Sequence, residues 1–260
     1  MTPSARPARA LALRCSRVSG QGHLPSSFSI IELALSAYAV MRHDPAAPHW
    51  PERDIFVLSK GHAALGYYSV LAQLGYFPAE AVEQFGAYRS TFGCHPDRFK
   101  VPGVEASCGS LGHGIGIAAG MALAMQLRGS TRRVFVLIGD GEANEGSVWE
   151  AVMVAADRRL SNLTILYDHN RSQVRCLQIP NPAERFAAFG CATTEVNGHD
   201  ESAIIAALKK PADTVQVVVG RTVKGYGCPS LEEHFFEWHR KSPSPELYAE
   251  LVSELHAKTI

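Results

Sequence analysis

The sequence predicts an α/β protein with a mostly parallel central sheet and helices on both of its faces. Two observations predict it. Short, largely apolar runs recur at residues 55–58 (IFVL), 134–138 (VFVLI), 163–167 (LTILY) and 214–220 (TVQVVVG). Each is too short for a helix, and an apolar run without polar alternation suits a strand covered on both faces. Between the second and third runs lies a helical stretch, about 144–159. A strand–helix–strand unit of this length closes as a parallel pair.

The remaining elements follow in order. Residues 8–19 (ARALALRCSRVS) carry a helical pattern that stops at Gly20. Residues 21–27 (QGHLPSS) are rich in breakers and read as a loop. A second helix is expected over about 29–41, with Ile30, Leu33, Ala34 and Ala37 on one face. A Pro-rich connection, 43–53, leads to the first strand, and Ser59–Ala63 then opens a helix through Leu74. The small-residue stretch 117–127 is the next helix, entered from the glycine-dense segment 108–116. Beyond the third run, 180–189 reads as a loop and short helix with Asn181 as its cap. A further strand over 191–196, a helix over 201–208 and an amphipathic helix over 245–256 complete the set.

The bulk properties exclude several classes. A chain of 260 residues can bury a substantial core, and the whole of 1–260 reads as one domain. Hydrophobic content of 46% and charged content of 19% are globular proportions. Zero formal net charge gives no footprint for nucleic acid or an anionic membrane. No apolar run approaches the roughly 20 residues of a transmembrane helix. Six cysteines without a CxxC pair argue against a zinc site and a disulfide framework, so a reducing cytoplasm is the expected setting. Arg6, Arg9, Arg14 and Arg17 without an acidic neighbour have a faint likeness to a targeting peptide. The segment lacks an apolar core and a cleavage motif, and reads as an exposed first helix.

The chemistry-bearing stretch is 134–172. Gly139-Asp140-Gly141 turns the chain after one strand, and Asn170 ends the next, thirty residues on. Glycine there admits a ligand that a Cβ would exclude. A carboxylate, an amide oxygen and a backbone carbonyl at neighbouring strand ends are hard donors suited to Mg²⁺ or Ca²⁺. Mg²⁺ commonly shares its shell with phosphates, so a diphosphate is the natural third party. On these residues alone an ordinary strand-to-helix turn remains open. His62 and Glu145, near helix amino termini, read alternatively as an anion donor and a dipole partner, or as plain capping residues.

At GDG followed by Asn, the chain resembles the thiamine-diphosphate enzymes, and more closely the transketolase family. The resemblance extends over about 8–250 and rests on further motifs. These are a Gly-His pair at His23, SKGHA at His62, GCHP with PGVE at His95, GSLGHG at 109–114, NGHD at 197–200, TVKGYG at 222–227 and Trp238-His239. It implies the three-layer thiamine-diphosphate-binding fold and two cofactors, thiamine diphosphate and Mg²⁺, with Ca²⁺ or Mn²⁺ as substitutes. By resemblance the metal is held by Asp140, Asn170 and the carbonyl of Ser172. The coenzyme is contacted by His62, Gly109, Ser110, Leu111, Asp140, Gly141, Glu142, Asn170, Val174 and His239. His23, His62, His95 and His239 are the implied catalytic residues, with Glu145 beside the partner's activating glutamate. NGHD is read as architectural and His234 as surface. Cys94 and Arg240 stand where glycine is usual, Thr91 where many transketolases carry arginine, and His169 and Arg171 also depart from the commoner residues.

The resemblance covers only the amino-terminal, diphosphate-binding part of a full transketolase. It implies the small subunit of a split enzyme, inactive alone. A separate polypeptide carrying the pyrimidine-binding and carboxyl-terminal domains would complete it, as an α2β2 heterotetramer acting on sugar phosphates. Two alternatives remain open. One is a subunit of another thiamine enzyme, deoxyxylulose-phosphate-synthase-like or decarboxylating a 2-oxo acid. The other is a non-catalytic relic of the fold.

Overall fold

A computed structural model describes residues 3–174 and 177–257. Cys176 and the side chain of Arg240 lie outside the described parts. The helices are α1 (Ala5–Ser19), α2 (Leu24–Ser29), α3 (Ile31–Val40), α4 (Ala64–Gln73), α5 (Gly114–Leu127), α6 (Gly146–Asp157), α7 (Pro182–Ala188), α8 (Glu201–Leu208), α9 (Pro229–Glu233) and α10 (Pro245–Ala257). The strands are β1 (Ile55–Leu58), β2 (Val134–Gly139), β3 (Leu163–His169), β4 (Ala192–Asn197) and β5 (Gln216–Arg221). They pair in the order β1-β2-β3-β5-β4, every pair parallel.

Both faces of the sheet are covered, which is why the central strands need no polar alternation. Phe56, Leu58, Phe135, Leu137, Leu166 and Val218 pack into one layer with α1, α2, α3, α4, α8 and α10. Val57, Val134, Val136, Ile138, Ile165 and Val219 turn the other way, onto α5, α6 and α7. The period of two along each strand thus feeds two cores. Of the two edge strands, β1 is buried throughout and β4 is only half buried.

Four local expectations change. The segment read as a loop starts α2 at Leu24, because Pro25 occupies the first turn, where its missing N–H costs nothing and its fixed φ suits a helix. β3 runs two residues past its apolar stretch, since Asp168 and His169 still pair with Gly220 and Arg221 of β5. Asn181 stands at the start of α7 in a left-handed conformation, and its side chain makes no capping bond. The first helix is not an exposed one: α1 buries Ala8, Leu11, Ala12, Cys15 and even Arg9. A buried guanidinium needs a partner, and Glu32 on α3 provides it at 2.7 Å.

All strands run the same way, so their carboxyl ends gather on one side. Ser59 follows β1, Asp140 follows β2, Asn170 follows β3 and Thr222 follows β5. That rim is where open parallel sheets take their ligands.

Candidate cofactor site

Asp168, fully buried at the end of β3, is the hub of the rim. Its Oδ2 accepts from Lys60 Nζ at 2.5 Å, Ser29 Oγ at 2.8 Å and Asn170 Nδ2 at 2.9 Å. Its Oδ1 accepts from the Thr222 hydroxyl. One carboxylate therefore ties together α2, the β1 loop, the β3 loop and the β5 loop. Both ions of the Lys60–Asp168 pair are buried, and removing one partner of such a pair costs about 3–5 kcal/mol.

Asp140 and Asn170 meet through Ser172. The Ser172 hydroxyl donates to Asp140 Oδ1 at 2.6 Å, and its amide donates to Asn170 Oδ1 at 3.0 Å. Asp140 Oδ1 also accepts from the Gly141 amide at 2.7 Å. Asp140 Oδ2 is buried and meets no donor among the described residues. Burial raises the Asp140 carboxyl above its ordinary value, as does the nearby Asp168, against Ser172 and Lys60. An orphaned carboxylate oxygen beside an oriented amide oxygen fits a hard cation.

Three of the four expected histidines come together. The His23 ring lies 5.4 Å from that of His62 and 4.9 Å from that of His239, both edge-on. Burial holds the His62 imidazole well below its usual range, and Lys60, His23, Lys224 and His239 push the same way. His62 is thus neutral near pH 7 and able to donate or accept. His95 stands apart from the trio, exposed, its ring 3.7 Å from where a Cβ of Gly109 would lie. The two groups join through Gly61, which presses on the Cys108 carbonyl so closely that a Cβ would sit 2.1 Å from that oxygen.

Gly109 and Ser110 are exposed and Leu111 half exposed, so this turn is open to a ligand. Glu142 is not. Its Oε1 accepts from Ser59 Oγ at 2.5 Å and the Gly112 amide at 2.9 Å, and its Oε2 from the Gly139 amide at 3.2 Å. Its side chain braces two loops and the end of β2. Gly141 lies beside Ser172 Oγ at ordinary negative φ. Glu145 is exposed at the start of α6 and does not cap it. Val174, 45% exposed, lines a cavity of about 220 Å³ with Asn170, Thr222, Lys224 and Phe235.

Sequence reasoning assigned no role to Lys60, Asp168, Ser29, Thr222 or Lys224. Lys60 sits within SKGHA, two residues after an apolar strand, where a lysine signals a buried charge; its partner, 108 residues away, does not show in the sequence. Lys224 is also buried, with Nζ 5.4 Å over the Phe235 ring. Burial lowers its ammonium to about 8, and Lys60 adds to this against Asp140 and Asp168. Together the rim offers an oxygen pair for a cation and, beside it, a lysine and open backbone amides for an anion.

Fold and rim define a parallel-sheet α/β domain with carboxylate, amide and lysine side chains gathered at its strand ends. The family model for the transketolase thiamine diphosphate binding domain matches residues 2–241. The chain belongs to that family. It is 38% identical to one of the subunits of apulose-4-phosphate transketolase from Actinobacillus succinogenes, over 90% of this chain and 87% of that protein. It is 36% identical to the 6-deoxy-6-sulfo-D-fructose transketolase subunit SqwG of a Clostridium species, over 91% and 89%. Among solved structures, a Pichia stipitis transketolase variant superposes with a TM-score of 0.89 at 27% identity, over 96% of this chain. The chain spans 40% of the length of that enzyme.

Proposed function

We propose that this chain is the small subunit of a two-component transketolase, with 1–260 forming its diphosphate-binding domain. With a partner subunit it transfers a two-carbon ketol unit from a ketose to an aldose. The observation that carries this reading is the orphaned Asp140 Oδ2 set beside the oriented amide of Asn170 at neighbouring strand ends. Asp140, Asn170 and the Ser172 carbonyl hold Mg²⁺. His62, His239, Lys224 and the turn at Gly109, Ser110 and Leu111 hold the diphosphate, and Val174 packs against the coenzyme. Thiamine diphosphate, when bound, supplies the nucleophilic carbon and the electron sink.

This chain's residues bind, orient and move protons. His23, kept in contact with His62 and His239, would exchange protons with the sugar hydroxyls once coenzyme and substrate are bound. His95, beside Gly109, hydrogen-bonds the donor sugar. Glu145, exposed on α6, meets the partner subunit. The likeness of this chain to proteins named as transketolase subunits, nearly end to end, supports a separate partner. An α2β2 assembly working in the cytoplasm on sugar phosphates fits the reading.

The test is reconstitution with the companion polypeptide. The complex binds thiamine diphosphate by calorimetry only with Mg²⁺ present, and transfers ketol units; the lone chain does not. Transketolase activity of the lone chain, or metal-independent binding, refutes it.

A further inference from the structure

The NGHD turn is read from sequence as architecture, yet its histidine reaches the rim. His199 Nε2 accepts the Val223 amide at 2.8 Å, while its Nδ1 faces Glu32 Oε2 at 3.1 Å. An N–H donor on one nitrogen and a carboxylate on the other fix the tautomer: Nδ1 carries the proton and Nε2 is bare. The ring stacks on Tyr226 with centroids 3.6 Å apart and planes 10° from parallel. Glu32 is itself held by buried Arg9. The chain reaches this position only because residue 198 is glycine, where a Cβ would stand 2.4 Å from Thr222 Cγ2.

We propose that His199 is a positioning residue: its imidazole clamps the Thr222–Gly227 turn and so presents Lys224 and Thr222 to the site. The turn has other fastenings as well. The Thr222 hydroxyl donates to Asp168, the Thr222 amide to the His169 carbonyl, the Gly225 amide to the Pro25 carbonyl at 3.0 Å and the Gly227 amide to Glu232 Oε1 at 2.9 Å. These hold its two ends. His199 holds the stretch between, one residue before Lys224, and stacks on the aromatic two residues after it. A network running from α1 through α3 to the β4–α8 turn thereby sets the height of a lysine on the rim. What Lys224 binds rests on the proposed function; the clamp rests on these contacts alone.

Two variants and three measurements test it. Long-range ¹H–¹⁵N spectra of the labelled chain should show His199 protonated on Nδ1 and bare on Nε2; the opposite tautomer overturns the clamp. His199→Phe keeps a ring against Tyr226 and removes both hydrogen bonds, whereas His199→Gln keeps an acceptor. Exchange of the Val223 amide should speed up about tenfold in His199→Phe and return toward wild type in His199→Gln; equal exchange in all three overturns the clamp. In the reconstituted complex, His199→Phe should raise the KM for thiamine diphosphate about tenfold, with kcat at saturating coenzyme unchanged and His199→Gln restoring the KM. A fall in kcat with KM unmoved counts against positioning. Should His199→Phe not fold, the tautomer and the His199→Gln exchange, which must stay near wild type, still decide. If the wild-type complex binds no coenzyme, the cofactor reading fails, while the tautomer and exchange still judge the clamp.

Discussion

Asp168 dictates which way the Asn170 amide points. Asn170 Nδ2 donates to Asp168 Oδ2 at 2.9 Å and to Ser29 Oγ at 3.0 Å, so its Oδ1 turns to the opposite side, toward the Ser172 amide. A carboxylate is acceptor-only, and the reversed amide would set oxygen against oxygen. The amide oxygen is thereby aimed before any ion arrives.

Asp168→Ala removes that control and strands Lys60, whose side chain is 2% exposed. The chain should lose about 3–5 kcal/mol in denaturant unfolding. Thiamine diphosphate and Mg²⁺ should bind the reconstituted complex about 10–100-fold more weakly by calorimetry, the usual cost of losing a group that orients a ligand. Unchanged stability would show that Lys60 finds another partner and that Asp168 is no hub.

Gly61→Ala tests the joint between the histidine trio and the Gly109 turn. Its new Cβ would meet the Cys108 carbonyl, and backbone cannot swing aside as a side chain does. Overpacking of this kind costs about 1–3 kcal/mol. Gly116→Ala is the control: nothing lies within 4 Å of its Cβ, inside α5. There the substitution should be neutral or stabilise by about 0.5–1 kcal/mol, as glycine weakens a helix interior. Melting curves of the lone chain that fail to separate the two variants would refute the close contact.

The sheet was legible because its signal is local. The runs at 55, 134, 163 and 214 each announce a strand, and helix 201–208 matches residue for residue. The placing of Asp140 and Asn170 at the ends of neighbouring strands was legible for the same reason. What the sequence hid is long-range. Nothing near Lys60 names Asp168, and nothing near His199 names Val223, because a hydrogen bond leaves no period in either segment. Arg9 misled most: arginines in an opening helix read as a wet face, and the Phe28 carbonyl and Glu32, 19 and 23 residues on, make one of them core.

The Arg9–Glu32–His199 network should show in the acid limb of stability. Burial would raise the Glu32 carboxyl, yet the His199 hydrogen bond and the Arg9 guanidinium outweigh it and hold it below its ordinary 4.5. A carboxyl depressed in the folded state adds stability above its unfolded value, and loses it as pH falls through the folded one. Between those two values the unfolded chain binds more protons, so unfolding free energy climbs with pH. Glu32→Gln should flatten that climb below about pH 4.5 while Arg9, His199 and Glu201 remain around the site. Parallel acid limbs in the two proteins would remove Glu32 as a source of acid sensitivity.

Lys224 offers the sharpest separation of function from stability. Its side chain is buried, an aromatic ring lies beneath its ammonium, and no carboxylate pairs with it among the described residues. A buried charge so placed is a burden on the free chain and an asset only to an anionic ligand. Lys224→Met keeps the stem and removes the charge. The lone chain should then melt at the same temperature or higher, since burial no longer opposes a charged group. The reconstituted complex should bind thiamine diphosphate about 10–150-fold more weakly, the worth of about 1.5–3 kcal/mol for a hydrogen bond to a charged group. The two effects have opposite signs, so a general loss of structure cannot imitate them. A variant that melts lower and binds coenzyme as before would make Lys224 a structural residue and leave the diphosphate to His62, His239 and the Gly109 turn.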